Sequence, residues 1–316
     1  MEQPPPAYSE NNNIQINHQD PRYKDYQLVE LIRTYNISSS LSKMLYILKE
    51  YDIILLIDDS GSMTTKNTLI DHRTGHTITT TRWEEAKDIT MTLVDFALLL
   101  DDDGIDIFFM NREPLFKVNT KEKVVNAFQT YPSGGTPTVK TLKKIYDKYK
   151  NNSKNNLLLI ITDGEPTDGG DNYCYLIDIF DAMFYNDKIR NQNLNQPHFK
   201  ISMMICSDSE TTQQYYSKLD SKYDDLDVND DYLEEKKQIM RIQGHQFNFD
   251  YGDYICKILL APICNQLDML DEKKVNLNYI VKTFTKTYDE QGLNKAIEES
   301  KELTRTNTSN NNCVIS

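Results

Sequence analysis

The chain has 316 residues, enough for one large or two small domains, and 39 % of them are hydrophobic, which supports a sizeable core. Asp and Glu outnumber Lys and Arg by 48 to 35, a formal charge of −13. That balance argues against nucleic-acid binding, which needs clustered cations, and would repel an anionic membrane surface. Five cysteines, odd in number, widely spaced and without a C-x-x-C, argue against a disulfide framework or a zinc site and fit a reducing compartment.

In chain order, residues 1–26 are polar and proline-bearing and read as a disordered tail. No basic region followed by an apolar run opens it, so no secretory signal is expected. Residues 27–49 carry Leu28, Leu31 and Ile32, then Leu41, Met44, Leu45 and Leu48, at helical spacing, and form a helical lead-in. The short apolar run 51–58 reads as a strand buried on both faces of a parallel sheet. A helix follows over 83–100, a strand over 104–110, an edge strand over 115–118 and helices over 121–130 and 138–150. Residues 157–163 form another buried strand, 174–190 a helix and 199–206 a strand. Helices are expected at 210–219, 233–243 and 253–265, with a short strand near 246–249. The charged segment 220–231 reads as a solvated loop. Residues 266–316 form a partly helical extension with a helix at 290–303. No apolar run approaches the ~18 residues of a transmembrane helix. The alternation predicts an α/β fold, a doubly wound and mostly parallel sheet with helices on both faces. Such sheets bind ligands at the carboxyl ends of their strands, near a topological switch point.

Two of those ends carry chemistry. The run 51–58 closes on Asp58-Asp59-Ser60-Gly61-Ser62, a D-x-S-x-S order that turns one carboxylate and two hydroxyls toward one spot. The run 157–163 closes on Asp163. Between them, Ser133-Gly134-Gly135-Thr136-Pro137-Thr138 is a Gly-rich loop that offers a hydroxyl just before a helix. Thr138 competes with Thr136 for that role; Thr136, directly after Gly135 and before Pro137, is preferred. Asp58, Ser60, Ser62, Thr136 and Asp163 make an all-oxygen set that suits Mg²⁺ or Mn²⁺ rather than zinc or copper. Neutral hydroxyls leave the ion most of its charge, and one coordination position can stay open for an outside ligand. Asp59, Asp168 and Asp171 read as solvated loop residues. So do His72 and His76, whose i, i+4 spacing falls in a Thr-rich stretch and not on an apolar helix. Trp83 reads as packing.

The chain resembles the von Willebrand factor A superfamily, whose metal-ion-dependent adhesion site is D-x-S-x-S, then a Thr, then an Asp. The resemblance covers roughly residues 50–265 and rests on DDSGSM, RWEEA, DGIDIFF, GGTPT and TDGEP; these phrases are also similar to those of intracellular eukaryotic proteins with one such domain. The resemblance implies that Ser60, Ser62 and Thr136 ligate directly, that Asp58 and Asp163 act largely through water, and that Asp163 moves inward when no partner is bound. It further implies a non-enzymatic protein-binding module whose partner's carboxylate completes the coordination. The insert Thr64–Thr81 leaves the local loop structure open. The alternative is a metal-assisted hydrolase or phosphatase, but no base or nucleophile can be named for it.

Two short motifs flank the domain. Pro5, Pro6 and Tyr8 form P-P-x-Y, a ligand for WW domains such as those of ubiquitin ligases, pre-shaped as polyproline II. Cys313-Val314-Ile315-Ser316 is a C-a-a-X signal whose terminal Ser favours a farnesyl group on Cys313. The expected product is a cytoplasmic adaptor, held weakly and reversibly to the cytosolic face of a membrane, because one lipid gives marginal affinity.

Overall fold

The computed structural model describes residues 23–168, 172–190, 199–207 and 209–285. Pro5, Pro6 and Tyr8, Asp171, the helix expected at 290–303 and Cys313 lie outside the described residues. The lead-in is helix α1 (Tyr23–Thr34), the short α2 (Ser39–Ser42) and a 3-10 turn at Leu45–Glu50. Helix α1 starts before the expected boundary at residue 27: its first turn is anchored where Tyr46 Oη donates to Asp25 Oδ1 at 2.8 Å.

Strand β1 (Tyr51–Ile57) follows, then a hairpin of β2 (Lys66–Ile70) and β3 (Thr77–Thr81), which gives the insert its structure. Helix α3 (Arg82–Leu100) begins directly after the hairpin. Thr81 and Glu84 form a capping box there, each side chain bonding the other's backbone N–H. Next come β4 (Ile105–Phe109), β5 (Leu115–Val118), α4 (Lys121–Ala127), α5 (Thr138–Tyr149) and β6 (Asn155–Thr162). The chain continues through α6 (Asn172–Arg190), β7 (Phe199–Ile205), α7 (Glu210–Asp220), β8 (Leu226–Asn229) and α8 (Tyr232–Gln243). It closes with α9 (Tyr251–Leu260), α10 (Asn265–Asp268) and α11 (Leu277–Thr285).

Six strands form one sheet in the order β5-β4-β1-β6-β7-β8, all parallel except the edge strand β5. The alternation of side chains along β1 explains its unbroken apolar run. Ile53, Leu55 and Ile57 enter one core with α3, α4 and α9, whereas Ile54 and Leu56 enter a second core with α5, α6 and α7. The first core also takes in Leu28 of α1 and Ile280 and Val281 of α11, so both flanks join one core, α1 against α3 and α11 against α2. From β1 the chain builds outward to β4 and β5 on one side, then returns to place β6, β7 and β8 on the other. The switch point therefore lies between the carboxyl ends of β1 and β6.

Three expectations need correction. The segment 220–231 is not a solvated loop: it contains β8, with Leu226 and Val228 facing the second core and Asp227 and Asn229 buried on the opposite face. There is no strand at 246–249; the sheet ends at β8. The helix expected over 253–265 ends at Leu260, and α10 starts only at Asn265; Pro262 lies between them and has no N–H to continue the helical ladder.

Candidate metal centre

Strand β1 hands over to the turn through its own ladder, with Asp58 N donating to Ile161 O of β6 at 2.8 Å. The Asp58 side chain then folds the chain back, because its Oδ1 accepts from Ser60 N at 2.8 Å. The next residues form a 3-10 turn, Gly61–Thr64, pinned by the fully buried Met63. The Gly-rich loop docks on this turn through two backbone bonds, Gly61 N to Gly134 O at 3.0 Å and Ser133 N to Asp59 O at 2.8 Å. Gly134 has φ of 100°, and a Cβ there would stand 2.5 Å from Asn111 Oδ1, so the loop's approach requires glycine.

Four of the five expected site residues are joined by direct hydrogen bonds or one backbone turn. The hydroxyls of Ser60 and Ser62 are 3.0 Å apart. Ser62 Oγ donates to Asp163 Oδ1 at 2.8 Å, across the gap between β1 and β6. Asp58 is tied to Ser60 N, and its Oδ2 accepts from Thr162 Oγ1 at 2.7 Å. Thr136 is carried on the docked loop and is buried; its N–H bonds Thr167 Oγ1 at 2.8 Å. The competing Thr138 is committed elsewhere, its hydroxyl facing Met110 Sδ at 3.7 Å and Thr136 O at 3.4 Å. Asp58, Ser60 and Asp163 are buried, while Ser62 is exposed, so the cluster is a cup with one wall open to solvent. Burial pushes the Asp58 carboxyl above its ordinary range; the Thr162 and Ser60 bonds pull it down, and the neighbouring Asp163 adds to the rise.

Several partners of this cluster have roles that the sequence did not single out, although Arg82 and Thr162 fall inside RWEEA and TDGEP. Thr162 is one. Arg82, the first residue of α3, is another: Nη1 donates to Asp163 Oδ2 at 2.9 Å. Asp59 is not a solvated loop residue. It is buried, and accepts from Arg112 Nε at 2.7 Å and Asn111 N at 2.8 Å. The consecutive acids thus point apart, Asp58 into the cup and Asp59 into a brace for the neighbouring loop. Asp168 is likewise structural, accepting from the N–H groups of Val139 and Lys140 at the start of α5, where a negative charge also suits the helix dipole. His72 is not a surface residue; its ring stacks on Tyr251 with centroids 3.4 Å apart. Trp83 packs as expected, with Nε1 donating to Phe128 O at 3.3 Å.

The donor chemistry fits a hard divalent ion: two buried carboxylates, two adjoining hydroxyls and a third hydroxyl on the docked loop, without sulfur or imidazole. A second group of carboxylates lies near the amino end of β1. One oxygen or another of Asp52, Asp101 and Asp103 falls within 4.8 Å of the rest, close enough to share an ion. Lys154 already faces this group, 3.4 Å from Asp52 and 3.9 Å from Asp101. Burial raises the Asp101 carboxyl to about 7, with Asp103 adding to the rise.

Among the described residues no helix is long and apolar enough to cross a membrane. No known family profile matches the chain, and no curated protein matches it. Among solved structures, the manganese-loaded Plasmodium vivax TRAP protein is similar over 58 % of this chain and 69 % of that one, at 16 % identity and a TM-score of 0.34. A likeness that faint carries no weight for the site; the fold stands on the strand order itself, a mixed α/β, doubly wound sheet.

Proposed function

We propose that this chain is a von Willebrand factor A-type domain acting as a divalent-metal-dependent protein-binding module. The observation that supports it most is the hydrogen-bonded line from Ser60 through Ser62 to Asp163, beside Asp58, at the switch point of the sheet. The D-x-S-x-S turn supplies three of these residues and the fold brings Asp163 beside them, and together they form the oxygen set that a magnesium or manganese ion prefers. Asp58, Ser60, Ser62, Thr136 and Asp163 would hold the ion. Bound there, it supplies a positive charge able to accept a carboxylate from a partner protein. The residues of the chain do the rest: the hydroxyls stay neutral and leave that charge unspent, Met63 and the Gly61–Gly134 bond hold the turn rigid, and the exposed side at Ser62 admits the partner.

The same reading makes the protein a cytoplasmic adaptor rather than an enzyme. Pro5, Pro6 and Tyr8 recruit a WW-domain protein, and a farnesyl group on Cys313 supplies a weak membrane tether. A pull-down from cells expressing the full chain tests the module. Proteins captured by the wild type are expected to be lost both on EDTA treatment and in Ser60→Ala; an identical capture under all three conditions rules the mechanism out. The tether is tested by fractionation: Cys313→Ser is expected to empty the membrane fraction, and an unchanged distribution refutes the lipid.

A further inference from the structure

Two arginines reach the carboxylates at this end of the sheet, and they are held differently. Arg112 is fixed on several sides. Its Nε donates to Asp59 Oδ2 at 2.7 Å, its Nη1 to Ala127 O at 2.8 Å, and its guanidinium lies 4.1 Å from the ring centroid of Phe109. Arg82 has a single side-chain hydrogen bond among the described residues, from Nη1 to Asp163 Oδ2 at 2.9 Å. Its Nε is buried without a partner, as is Nη2 of Arg112, so the difference lies in the bonds each makes, one for Arg82 and two for Arg112. The side chain is only 18 % exposed and that of Asp163 is 0 % exposed, so this is a desolvated ion pair. A guanidinium offers five donors in a rigid fork. One that uses a single corner and leaves another orphaned is bound by charge more than by geometry, and another cation can take its place.

We propose that Arg82 is a built-in competitor of the divalent ion for Asp163, and so sets how tightly the site holds that ion. The proposal rests on the metal-site reading above and adds to it a determinant of occupancy. Both oxygens of Asp163 are engaged, Oδ1 by Ser62 and Oδ2 by Arg82. An ion that draws on this carboxylate must share it with a fixed positive charge, and like charges repel most strongly where burial lowers the local dielectric. Asp58, Ser60, Ser62, Thr136 and Asp163 therefore bind an ion less tightly with Arg82 beside them than they would alone. The insert delivers this competitor. Arg82 N donates to Thr65 O at 3.0 Å, closing the base of the β2–β3 hairpin, and Thr81 caps the helix that Arg82 begins. When divalent ions are scarce, Asp163 keeps its counter-charge and its place; partner binding is then switched on only above an ion threshold that Arg82 sets.

Calorimetric titration of Mn²⁺ into the full chain tests this, using wild type, Arg82→Gln and Arg82→Lys. Arg82→Gln removes the charge and is expected to bind Mn²⁺ about tenfold more tightly, within the usual range of coupling between two ligands. Arg82→Lys keeps the charge and is expected to stay within about threefold of wild type on the same scale. A purely structural role for Arg82 does not separate these two variants. Equal or weaker Mn²⁺ binding by Arg82→Gln overturns the proposal, since Arg82 would then orient Asp163 for the ion. If Arg82→Gln does not fold, Arg82→Met, which keeps the packing of the aliphatic stem, carries the same expectation. A wild type that takes up no Mn²⁺ ends the metal-site reading and this proposal together. A wild type that binds while the variants do not differ ends this proposal alone.

Discussion

The buried carboxylates of this protein divide by whether they meet a cation. Asp58 and Asp59 are neighbours in sequence and both buried, yet Asp59 is spent on Arg112 while Asp58 meets only hydroxyls and an N–H. The strongest case is Lys257 of α9, wholly buried, with Nζ 3.0 Å from Asp227, 3.0 Å from Glu235 and 3.2 Å from Asn229 Oδ1. Burial pulls its pKa down, but Asp227 and Glu235 outweigh that and hold it well above the ordinary value. The surrounding acids are pushed up by burial, Glu235 to about 7 and Asp268 to about 9, the latter also by Asp227. One lysine thus compensates several desolvated carboxylates. Replacing it with an apolar side chain, Lys257→Met, leaves them unpaired and is expected to cost about 3–5 kcal/mol of stability in urea unfolding. A loss below about 1 kcal/mol, typical of an exposed pair, would contradict this account of the network.

At the scale of elements, what a single strand or helix could reveal by its own pattern was legible, and what depended on a distant partner was not. The runs at 51–58 and 157–163 are apolar because both faces of β1 and β6 are covered, and they read as strands at once. Strand β8 was illegible because Asp227 and Asn229 are tolerated inside through Ser202 of β7 and through Lys257, 30 residues further on from Asp227. The hairpin β2–β3 carries five threonines and one charged residue, Lys66, among its ten strand positions, and its three aliphatics, Leu69, Ile70 and Ile78, do not alternate, so no apolar pattern marked it. The candidate site divides the same way. Asp58, Ser60 and Ser62 could be read from spacing, and Asp163 from its place at a strand end. The roles of Thr162, Arg82 and Arg112 could not, although the first two fall inside TDGEP and RWEEA, since each reaches the cluster from a strand end, a helix start or a loop and not by its spacing from D-x-S-x-S.

For the molecule as a whole, the doubly wound sheet explains why the proposed metal site lies where it does. Strand order reverses between β1 and β6, so no crossover covers the gap between their carboxyl ends, and the D-x-S-x-S turn and Asp163 face each other across it. Helix α1 at one end of the described chain and α11 at the other pack on the first core, which keeps both chain flanks on the body that bears this edge. The second group of acids, Asp52, Asp101 and Asp103, gathers near the opposite end of β1. The two ends of one strand are therefore rival places for a cation, and one experiment separates them. Calorimetric titration of Mg²⁺ and Mn²⁺ into the full chain and into Asp163→Asn is expected to give a single saturable event in the wild type. The variant is expected to weaken it at least about tenfold, because ligand charge sets affinity at an oxygen site. No binding to the wild type, or equal binding to Asp163→Asn, would contradict the assignment of the ion to the carboxyl ends of β1 and β6.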